Sequence, residues 1–275
     1  IIYGCDVKDP IYNTNHPEQA KIKVIIGWKD IGEGIPKPTS YIVEADGHHY
    51  ETSSDTYTLP DLFDPGNYSV WLYNKVEEIE VKDGIATVKS LPAKERSSGN
   101  YIQPMPDWLF TGKVQTSILA DTDHSFDISM QQQIRQLTLI VKPEGSATDK
   151  IEHITASLSG IAASWDINTN APVSNESSVT MNFTRITEGE NAGSWATTVH
   201  LIGVTGTSQK LNGTIHYAGN TPQDTPLESD LTEKLAAFNT DKKTPLTLGG
   251  QVEVPSEAGF TATIRNWKEM YSSGT

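Results

Sequence analysis

The chain has 275 residues, of which 35 are acidic and 21 basic, so its formal net charge at pH 7 is −14. This charge argues against binding to nucleic-acid phosphates, and against binding to anionic lipid through a basic patch. Hydrophobic residues make up 36% of the sequence, which is enough for a packed core in one large domain or two smaller ones. No run of apolar residues approaches the roughly 20 that a membrane-spanning helix needs.

The only cysteine, Cys5, stands after Ile2, Tyr3 and Gly4. This order is close to a bacterial lipobox, where a signal peptidase cleaves before the Cys and a lipid is attached to its sulfur. We therefore predict lipidation at Cys5; the alternative is an ordinary lone thiol. Residues 6–19 are rich in Pro, Asn and charge, which predicts a tether without helix or strand. Fully extended at about 3.3 Å per residue, this tether spans roughly 45 Å.

Alternation of apolar and polar residues then predicts a series of β-strands. In the first strand, Ile22, Val24 and Ile26 share one face. The dipeptide Asp83-Gly84 favours a type I′ turn and so predicts a hairpin around it. The predicted strands of the first half span residues 20–28, 41–44, 68–73, 76–81, 85–88, 113–119 and 134–141.

Residues 142–149 combine Pro, Gly and polar side chains, and we predict the domain boundary there. The expected units are an N-terminal β-sandwich at 20–143 and a C-terminal β-sandwich at 149–275, because short strands at regular spacing are typical of sandwiches. A single helix is predicted at 230–238, with Ser229 or Asp230 as N-cap and Leu231, Leu235 and Phe238 on one face. The predicted strands of the second half span residues 151–158, 178–186, 196–202, 210–217, 247–254 and 260–267.

Several short motifs resemble the fimbrillin-family lipoproteins of Bacteroidales, in the branch that includes the fimbrial anchor subunits of type V pili. The resemblance implies two tandem transthyretin-like β-sandwiches on a lipidated N-terminus at the outer membrane, built into or beside a pilus. It also implies partners that are other fimbrial subunits, joined by β-strand complementation. The motifs are Cys5-Asp6-x-Lys8-Asp9, Gly27-Trp28, Pro65-Gly66-Asn67-Tyr68-Ser69-Val70, Met130-Gln131-Gln132-Gln133-Ile134-Arg135-Gln136-Leu137, Ala156-Ser157-Leu158-Ser159-Gly160-Ile161-Ala162, Asp230-Leu231-Thr232 and Leu246-Thr247-Leu248.

One departure from that family concerns its processing. The resemblance implies that stalk subunits are cut by an Arg-specific protease near their first strand, which opens a groove for a neighbouring strand. The first arginine of this chain is Arg96, and the predicted first strand contains only Lys21 and Lys23 as basic residues. We therefore expect the first strand to stay in its own domain, so that the chain caps or anchors a fibre.

No enzyme signature assembles from the sequence, and we expect neither catalysis nor a cofactor. His48 and His49 are adjacent, so on a strand their side chains face opposite ways and cannot chelate one ion. Residues 121–127 place oxygen-bearing side chains at alternate positions, as in a calcium loop. However, Phe126 stands where that loop needs Gly and Gln132 where it needs Glu. A polar turn is the better interpretation, and no metal site is predicted.

The remaining functional candidates are aromatic. Trp108 lies in a Pro-rich loop where an exposed ring would be able to stack on a sugar, and Trp165 and Trp195 are similar candidates. The simpler interpretation is that these rings fill sandwich cores. The sequence therefore predicts a fimbrial anchor-like surface lipoprotein. The alternative is a carbohydrate-binding outer-membrane lipoprotein of a glycan-uptake system, with glycan as the ligand.

Overall fold

The computed structural model describes residues 18–92, 99–173, 175–219, 221–254 and 260–271. Within these residues the chain forms nineteen β-strands and one α-helix, which confirms the predicted all-β class with a single short helix. The strands of the first half are β1 (Ile22–Asp30), β2 (Tyr41–Ala45), β3 (His48–Thr52), β4 (Thr56–Thr58), β5 (Gly66–Tyr73), β6 (Ile79–Lys82), β7 (Ile85–Val88), β8 (Phe110–Ile118) and β9 (His124–Gln132).

The second half begins at residue 135 and contains the helix. Its elements are β10 (Arg135–Glu144), β11 (Ile151–Ala162), β12 (Ser164–Asp166), β13 (Ala171–Pro172), β14 (Glu176–Arg185), β15 (Trp195–Leu201), β16 (Lys210–Tyr217), β17 (Thr225–Asp230), α1 (Thr232–Leu235), β18 (Leu246–Glu253) and β19 (Ala262–Glu269).

The first unit is a seven-stranded sheet in the order β3-β2-β5-β8-β9-β1-β4. Its strands follow the predicted alternation, since β1 buries Ile22, Val24 and Ile26 and turns the residues next to them outward. A two-residue turn at Asp46 and Gly47, both with positive φ, joins β2 to β3. Such a turn matches the twist of the flanking strands. The sheet therefore has two edge strands, β3 and β4.

The second unit consists of eight strands in the closed order β10-β15-β14-β11-β16-β17-β19-β18, because β18 pairs in parallel with β10. It is a sandwich whose two sheets are joined by strand pairing along both sides. Strand β14 pairs with β11 and then with β15, and β19 pairs with β17 and then with β18. Each of these two strands thus crosses from one sheet to the other, and the eight strands leave no edge within the described residues.

A third, smaller sheet connects the two units in the order β13-β12-β7-β6. The predicted hairpin is confirmed, since β6 and β7 pair across a turn at Asp83 and Gly84, which both have positive φ. Strand β7 then pairs with β12 from the second half of the chain. We call these four strands the bridging sheet. Their apolar side chains, with Ile42 and Tyr73 of the first unit, belong to one continuous core with the second unit.

The strand predicted at 134–141 belongs to the second unit and not to the first. As β10, it pairs with β15 along residues 135–141 and with β18 along residues 137–144. By its strand pairing, the second unit therefore begins after Gln133–Ile134, before the predicted break at 142–149. Pro143 does not end the strand, although the sequence predicts that it does, because it continues the parallel pairing with β18 at the end of β10.

The helix is shorter than predicted. Helix α1 has Leu231 at its N-cap position, and a 3₁₀ turn at Phe238–Thr240 follows it. Ser229 does not cap the helix because it lies in β17, where its hydroxyl donates to the carbonyl of Ile264. The predicted apolar face is nevertheless correct, since Leu231, Leu235 and Phe238 are all buried. In the part of the chain that the structure describes, no helix has the length and apolar character to cross a membrane.

Candidate functional site: the strand edges of the first unit

Strand β1 occupies an interior position in the first sheet. It pairs in parallel with β9 on one side and antiparallel with β4 on the other. Its inward side chains Ile22 and Val24 are 0% exposed, and Ile26 is 5% exposed. Burial of each such side chain contributes about 1.5–3 kcal/mol. The strand is therefore an integral part of its own sheet, and removing it would open a gap between β9 and β4.

The two edge strands of the first sheet converge at one end. Only residues 53–55 connect β3 to β4, so the end of β3 and the start of β4 lie within roughly 13 Å of each other. Tyr50 on β3 and Tyr57 on β4 are both half-buried and pack on the core of the first unit. The two ends of the sheet thus come close together, and the opening between them is bounded by the edges of β3 and β4.

Asp55 fixes the connection between these edges. Its carboxylate accepts hydrogen bonds from Lys37 Nζ at 2.6 Å, Tyr41 Oη at 2.8 Å and Trp28 Nε1 at 2.9 Å. The hydrogen bond from the Lys37 ammonium is the main influence that lowers the pKa of Asp55 below its ordinary value of 3.8. Burial and the bond to Asp55 raise the pKa of Tyr41. The ionised carboxylate of Asp55 therefore fixes the segment between β3 and β4 to Trp28, Lys37 and Tyr41.

The edge of β4 is capped by the chain itself. The amides of Leu59 and Ile26 bond to the carbonyls of Ile22 and Asp55, so residues 55, 57 and 59 face β1 and residues 56 and 58 face outward. The outward amide of Thr56 donates to Ser54 Oγ at 3.3 Å. The same hydroxyl donates to the carbonyl oxygen of Thr56 at 2.9 Å. Ser54 thereby occupies both backbone groups that a further strand would use at this position.

The edge of β3 has no such cap. The residues flanking a two-residue hairpin turn exchange hydrogen bonds, here Ala45 and His48, and the pattern alternates from there. The backbone groups of His49 and Glu51 consequently point away from β2. Among the described residues, no backbone hydrogen bond reaches these outward groups. Strand β3 is therefore a five-residue edge that is open to pairing.

A groove of about 430 Å³ runs between β3 and β6 of the bridging sheet, and we call it the edge groove. Its volume lies within the range of about 300–1,000 Å³ that is typical of ligand pockets. Glu51 and Lys75 form an ion pair of 2.8 Å at its rim. The aliphatic side chains that line it are Ile42, Val76, Ile79 and Val81.

A buried carboxylate lies beneath the edge groove. Glu44 on β2 is 5% exposed, and its Oε2 accepts a hydrogen bond from Tyr73 Oη at 3.3 Å. His49 Nε2 lies 3.9 Å from the same oxygen. Burial, together with the charge of Glu44, raises the pKa of Tyr73 to about 12. The Tyr73 hydroxyl therefore remains a proton donor to Glu44 at neutral pH.

The two neighbouring histidines face opposite sides of β3, as predicted. His49 lies beside Glu44, whereas His48 Nδ1 is 3.6 Å from Asp61 on the other side. The calcium-like segment at 121–127 forms the turn between β8 and β9 and the start of β9. Across the described residues, no group of three or more His, Cys, Asp or Glu side chains has an arrangement suited to a metal ion.

The structure places two of the three candidate tryptophans in the core. Trp165 is 1% exposed and Trp195 is 5% exposed, so neither presents a ring face to solvent. Trp108 is half-buried between the two units, with its ring centroid 4.4 Å from that of His200. Their burial argues against sugar stacking at these positions.

Lys242 covers one face of Trp165. Its Nζ lies 3.0 Å from the ring centroid and donates to the carbonyl of Ile202 at 2.7 Å and to Gln133 Oε1 at 3.3 Å. Burial lowers the pKa of this amine well below its ordinary value of 10.5. Because Gln133 stands at the boundary between the units, Lys242 fastens the second unit to that junction.

A cluster that the sequence did not indicate lies on the second unit. The rings of His153 and His216 stack at 4.1 Å, and His216 Nδ1 is 2.7 Å from Asp224 Oδ2. The two histidines are partners in the register of β11 and β16. They lie 63 positions apart in the sequence, and only the strand pairing brings them together.

Cys5, with the tether up to residue 17, lies outside the described residues.

A family model described as fimbrillin-A associated anchor proteins Mfa1 and Mfa2 matches residues 39–269. The chain belongs to this family. The resemblance to the fimbrial anchor branch is therefore confirmed. A search of curated proteins found no match.

Several solved structures resemble this chain in fold. The fimbrial anchor protein Mfa2 from Porphyromonas gingivalis matches with a TM-score of 0.62 and 12% identity, covering 91% of this chain and 97% of that one. A proposed adhesin from Bacteroides ovatus matches with a TM-score of 0.60 and 14% identity over 94% and 96% of the two chains. Proposed polysaccharide-binding proteins from Bacteroides thetaiotaomicron match with a TM-score of 0.58 and 7% identity over 93% and 100%. At these identities the likeness concerns the fold, and it supports the two-sandwich architecture.

Proposed function

We propose that this chain is a terminal subunit of a fimbria, an anchor or cap held at the cell surface, that joins other fimbrial subunits and serves adhesion. Membership of the anchor-protein family supports association with fimbriae at the cell envelope. The observation that carries the terminal position is the placement of β1 between β9 and β4.

The position of β1 bears on whether this chain is able to accept the strand of another subunit. A subunit that propagates a fibre by strand complementation must offer a vacant strand position to its neighbour. Here the chain fills that position itself, with three aliphatic side chains at most 5% exposed. The first arginine of the printed sequence is Arg96, so residues 20–28 contain no site for an Arg-specific protease. The next subunit would then add to a sheet edge and not to a gap left by β1.

The second part of the proposal is the attachment. A lipid on Cys5 would hold the outer membrane, and residues 6–19 would act as a spacer of up to roughly 45 Å. The membrane is then contacted through the N-terminal lipid only. A net charge of −14 fits this arrangement, since it does not favour direct binding of the domain to an anionic surface.

The alternative of glycan uptake has less support. Its predicted stacking residues Trp165 and Trp195 are buried, and Trp108 packs against His200. A structural relative proposed to bind polysaccharide shares 7% identity with this chain, which supports a common fold alone.

The test is the chemistry of the N-terminus of the protein purified from its native cells. We expect an N-terminal peptide that begins at Cys5 with the added mass of a diacylglyceryl group. Replacing Cys5 with Ala should move the protein from the membrane fraction to the soluble fraction. A mature start beyond Trp28 would show that β1 is removed and would overturn the terminal position, and an unmodified Cys5 would overturn the lipid attachment.

A further inference from the structure

We infer that β3 is the docking edge, where an extended segment of a neighbouring fimbrial subunit pairs with the backbone of His49 and Glu51 and inserts alternate side chains into the edge groove. This inference rests on the proposed function, because it takes another fimbrial subunit as the partner. It adds the position of the contact and the character of the segment that fits it.

The strand edges of the three sheets differ in whether a further strand is able to pair with them. The eight strands of the second unit close on one another. Strand β4 is three residues long, and Ser54 caps it at Thr56. In the bridging sheet, β13 has two residues, one of them Pro172, and the amide of Ile79 on β6 already donates to the carbonyl of Val76. Among the strands that stand at the end of a sheet, β3 is therefore the longest uncapped one in the described part of the chain. Residues 112–118 of β8 also lack a strand partner on the β9 side, since β8 and β9 pair only through residues 110–111 and 131–132, but the groove at β5 and β8 is lined by polar side chains and Tyr68.

The second step concerns the side chains of the incoming segment. Residues that lie opposite one another in adjacent strands point to the same face of a sheet. The side chains of His49 and Glu51 face the edge groove, so the residues that pair beside them would face it too. The groove offers Ile42, Val76, Ile79 and Val81, which favour aliphatic side chains at every second position of the partner.

The third step concerns charge. The edge groove and the chain next to it carry five carboxylates and two ammonium groups, of which Lys75 is already paired with Glu51 and Lys82 stands at the end of β6. A segment with Lys or Arg next to its aliphatic positions would complement this surface, and its binding would weaken at high salt. The five carboxylates belong to Glu44, Glu51, Glu77, Glu78 and Glu80.

The fold allows a direct test with proline. Because the amide of Glu51 points away from β2, Glu51→Pro removes a donor that the hairpin does not use, and edge strands tolerate proline at such positions. Thr58→Pro is the matched control, since it removes an outward amide from β4. As a second variant, Val76→Glu puts a charge into the edge groove without altering any backbone group of β3.

Each variant is expressed as the full-length protein in the native cells, and co-purified fimbrial subunits are quantified by mass spectrometry with and without cross-linking. We expect Glu51→Pro and Val76→Glu to reduce recovery of those subunits at least tenfold and Thr58→Pro to leave it unchanged. Cross-links from β3 should fall in a segment that alternates aliphatic residues and includes Lys or Arg. Thermal unfolding of each purified variant identifies any loss that comes from misfolding.

The other outcomes separate the two proposals. If the wild-type protein recovers no fimbrial subunit, the proposed function itself fails. If it recovers them and both Glu51→Pro and Val76→Glu recover as much, the partner uses another surface and the inference about β3 fails alone. Loss with Thr58→Pro only would assign the contact to β4. If the purified chain forms a dimer that Glu51→Pro abolishes and no other subunit is recovered, the occupant is a second copy and the inference is overturned.

Discussion

The two units of this molecule are built from similar strands but differ in whether their sheets end in free edges. In the second unit, β14 and β19 each pair into both sheets, and the eight strands close. In the first unit the sheet curls but does not close, and β3 and β4 remain as edges. Exposed edges invite pairing with other chains, and proteins ordinarily cap or close them. Among the described strands, the edges that a further strand would be able to use therefore lie in the first unit and the bridging sheet, and not in the second unit.

The units also share a plan. Each begins with a strand that pairs in parallel with a later strand of its own unit, β1 with β9 and β10 with β18. The first strand of each unit is therefore built into its own sheet. The contrast thus lies in the edges and not in the position of the first strand.

The largest expected effect comes from breaking the first unit at β1. Val24→Asp places an unpaired charge at a side chain that is 0% exposed, and we expect it to lower the free energy of unfolding by at least about 4 kcal/mol. The control is Ile25→Asp on the same strand, where the side chain is 38% exposed and a loss below about 1 kcal/mol is expected. Denaturant unfolding followed by circular dichroism measures both. Equal losses would show that β1 is not anchored by its inward face.

A second change opens the closed unit. Trp267 on β19 is 7% exposed, and its Nε1 donates to Ser229 Oγ at 2.8 Å. Trp267→Ala should cost about 3–5 kcal/mol and should raise self-association, because the strand that joins the two sheets loses its largest anchor. Trp267→Phe retains most of the ring and should lose less. Calorimetry and light scattering give the two readouts, and a monodisperse Trp267→Ala protein would contradict the role of β19 in closure.

A third change weakens the connection between the two edges. Asp55→Ala removes the hydrogen bonds from three donor groups, and we expect a loss of about 1–3 kcal/mol at pH 7. The pKa of Asp55 in the folded protein lies below 3.8, so its contribution is complete above that pH and declines as pH falls through the folded value. The difference in stability between Asp55→Asn and the wild-type protein should therefore shrink below about pH 4. A difference that stays constant from pH 7 to pH 3 would exclude Asp55 as an ionised acceptor.

The smallest effect is expected at the cap of β4. Ser54→Ala should lower the free energy of unfolding by about 1 kcal/mol or less, since its two hydrogen bonds lie at the surface. Its informative consequence is association: two backbone groups of Thr56 become available for pairing. Analytical ultracentrifugation should show more self-association than for Ser40→Ala, a change at a side chain with one long hydrogen bond of 3.3 Å. No difference between the two variants would show that Ser54 does not protect this edge.

The sequence was informative wherever the deciding interactions are local. Asp-Gly at 46–47 and 83–84 forms the tight turns of two hairpins, because these residues accept positive φ at little cost. The alternation in β1 correctly predicted its buried face, and the spacing of Leu231, Leu235 and Phe238 correctly predicted the buried side of the segment around α1. The short motifs correctly predicted the family to which the chain belongs.

Local patterns do not predict which of several distant segments pairs with a given strand. Residues 134–141 and the Pro143 region were assigned by their nearness in sequence, but pairing with β15 and β18 places them in the second unit. The surroundings of the tryptophans are likewise not predicted by local sequence. A sequence marks Trp165 as large and aromatic, and only the packing decides that Lys242 covers its face.

Patterns among neighbouring residues are thus enough to predict the all-β class, the turns, the inward faces and the family, because each depends on short stretches of the chain. Tertiary structure decided which strands close and which remain open. Whether β3 has a free edge depends on where the six other strands of its sheet lie, and whether β14 and β19 join two sheets depends on strands far away in the chain. Strand edges are long-range properties because a backbone hydrogen-bonding group is free only when no other segment of the fold has reached it.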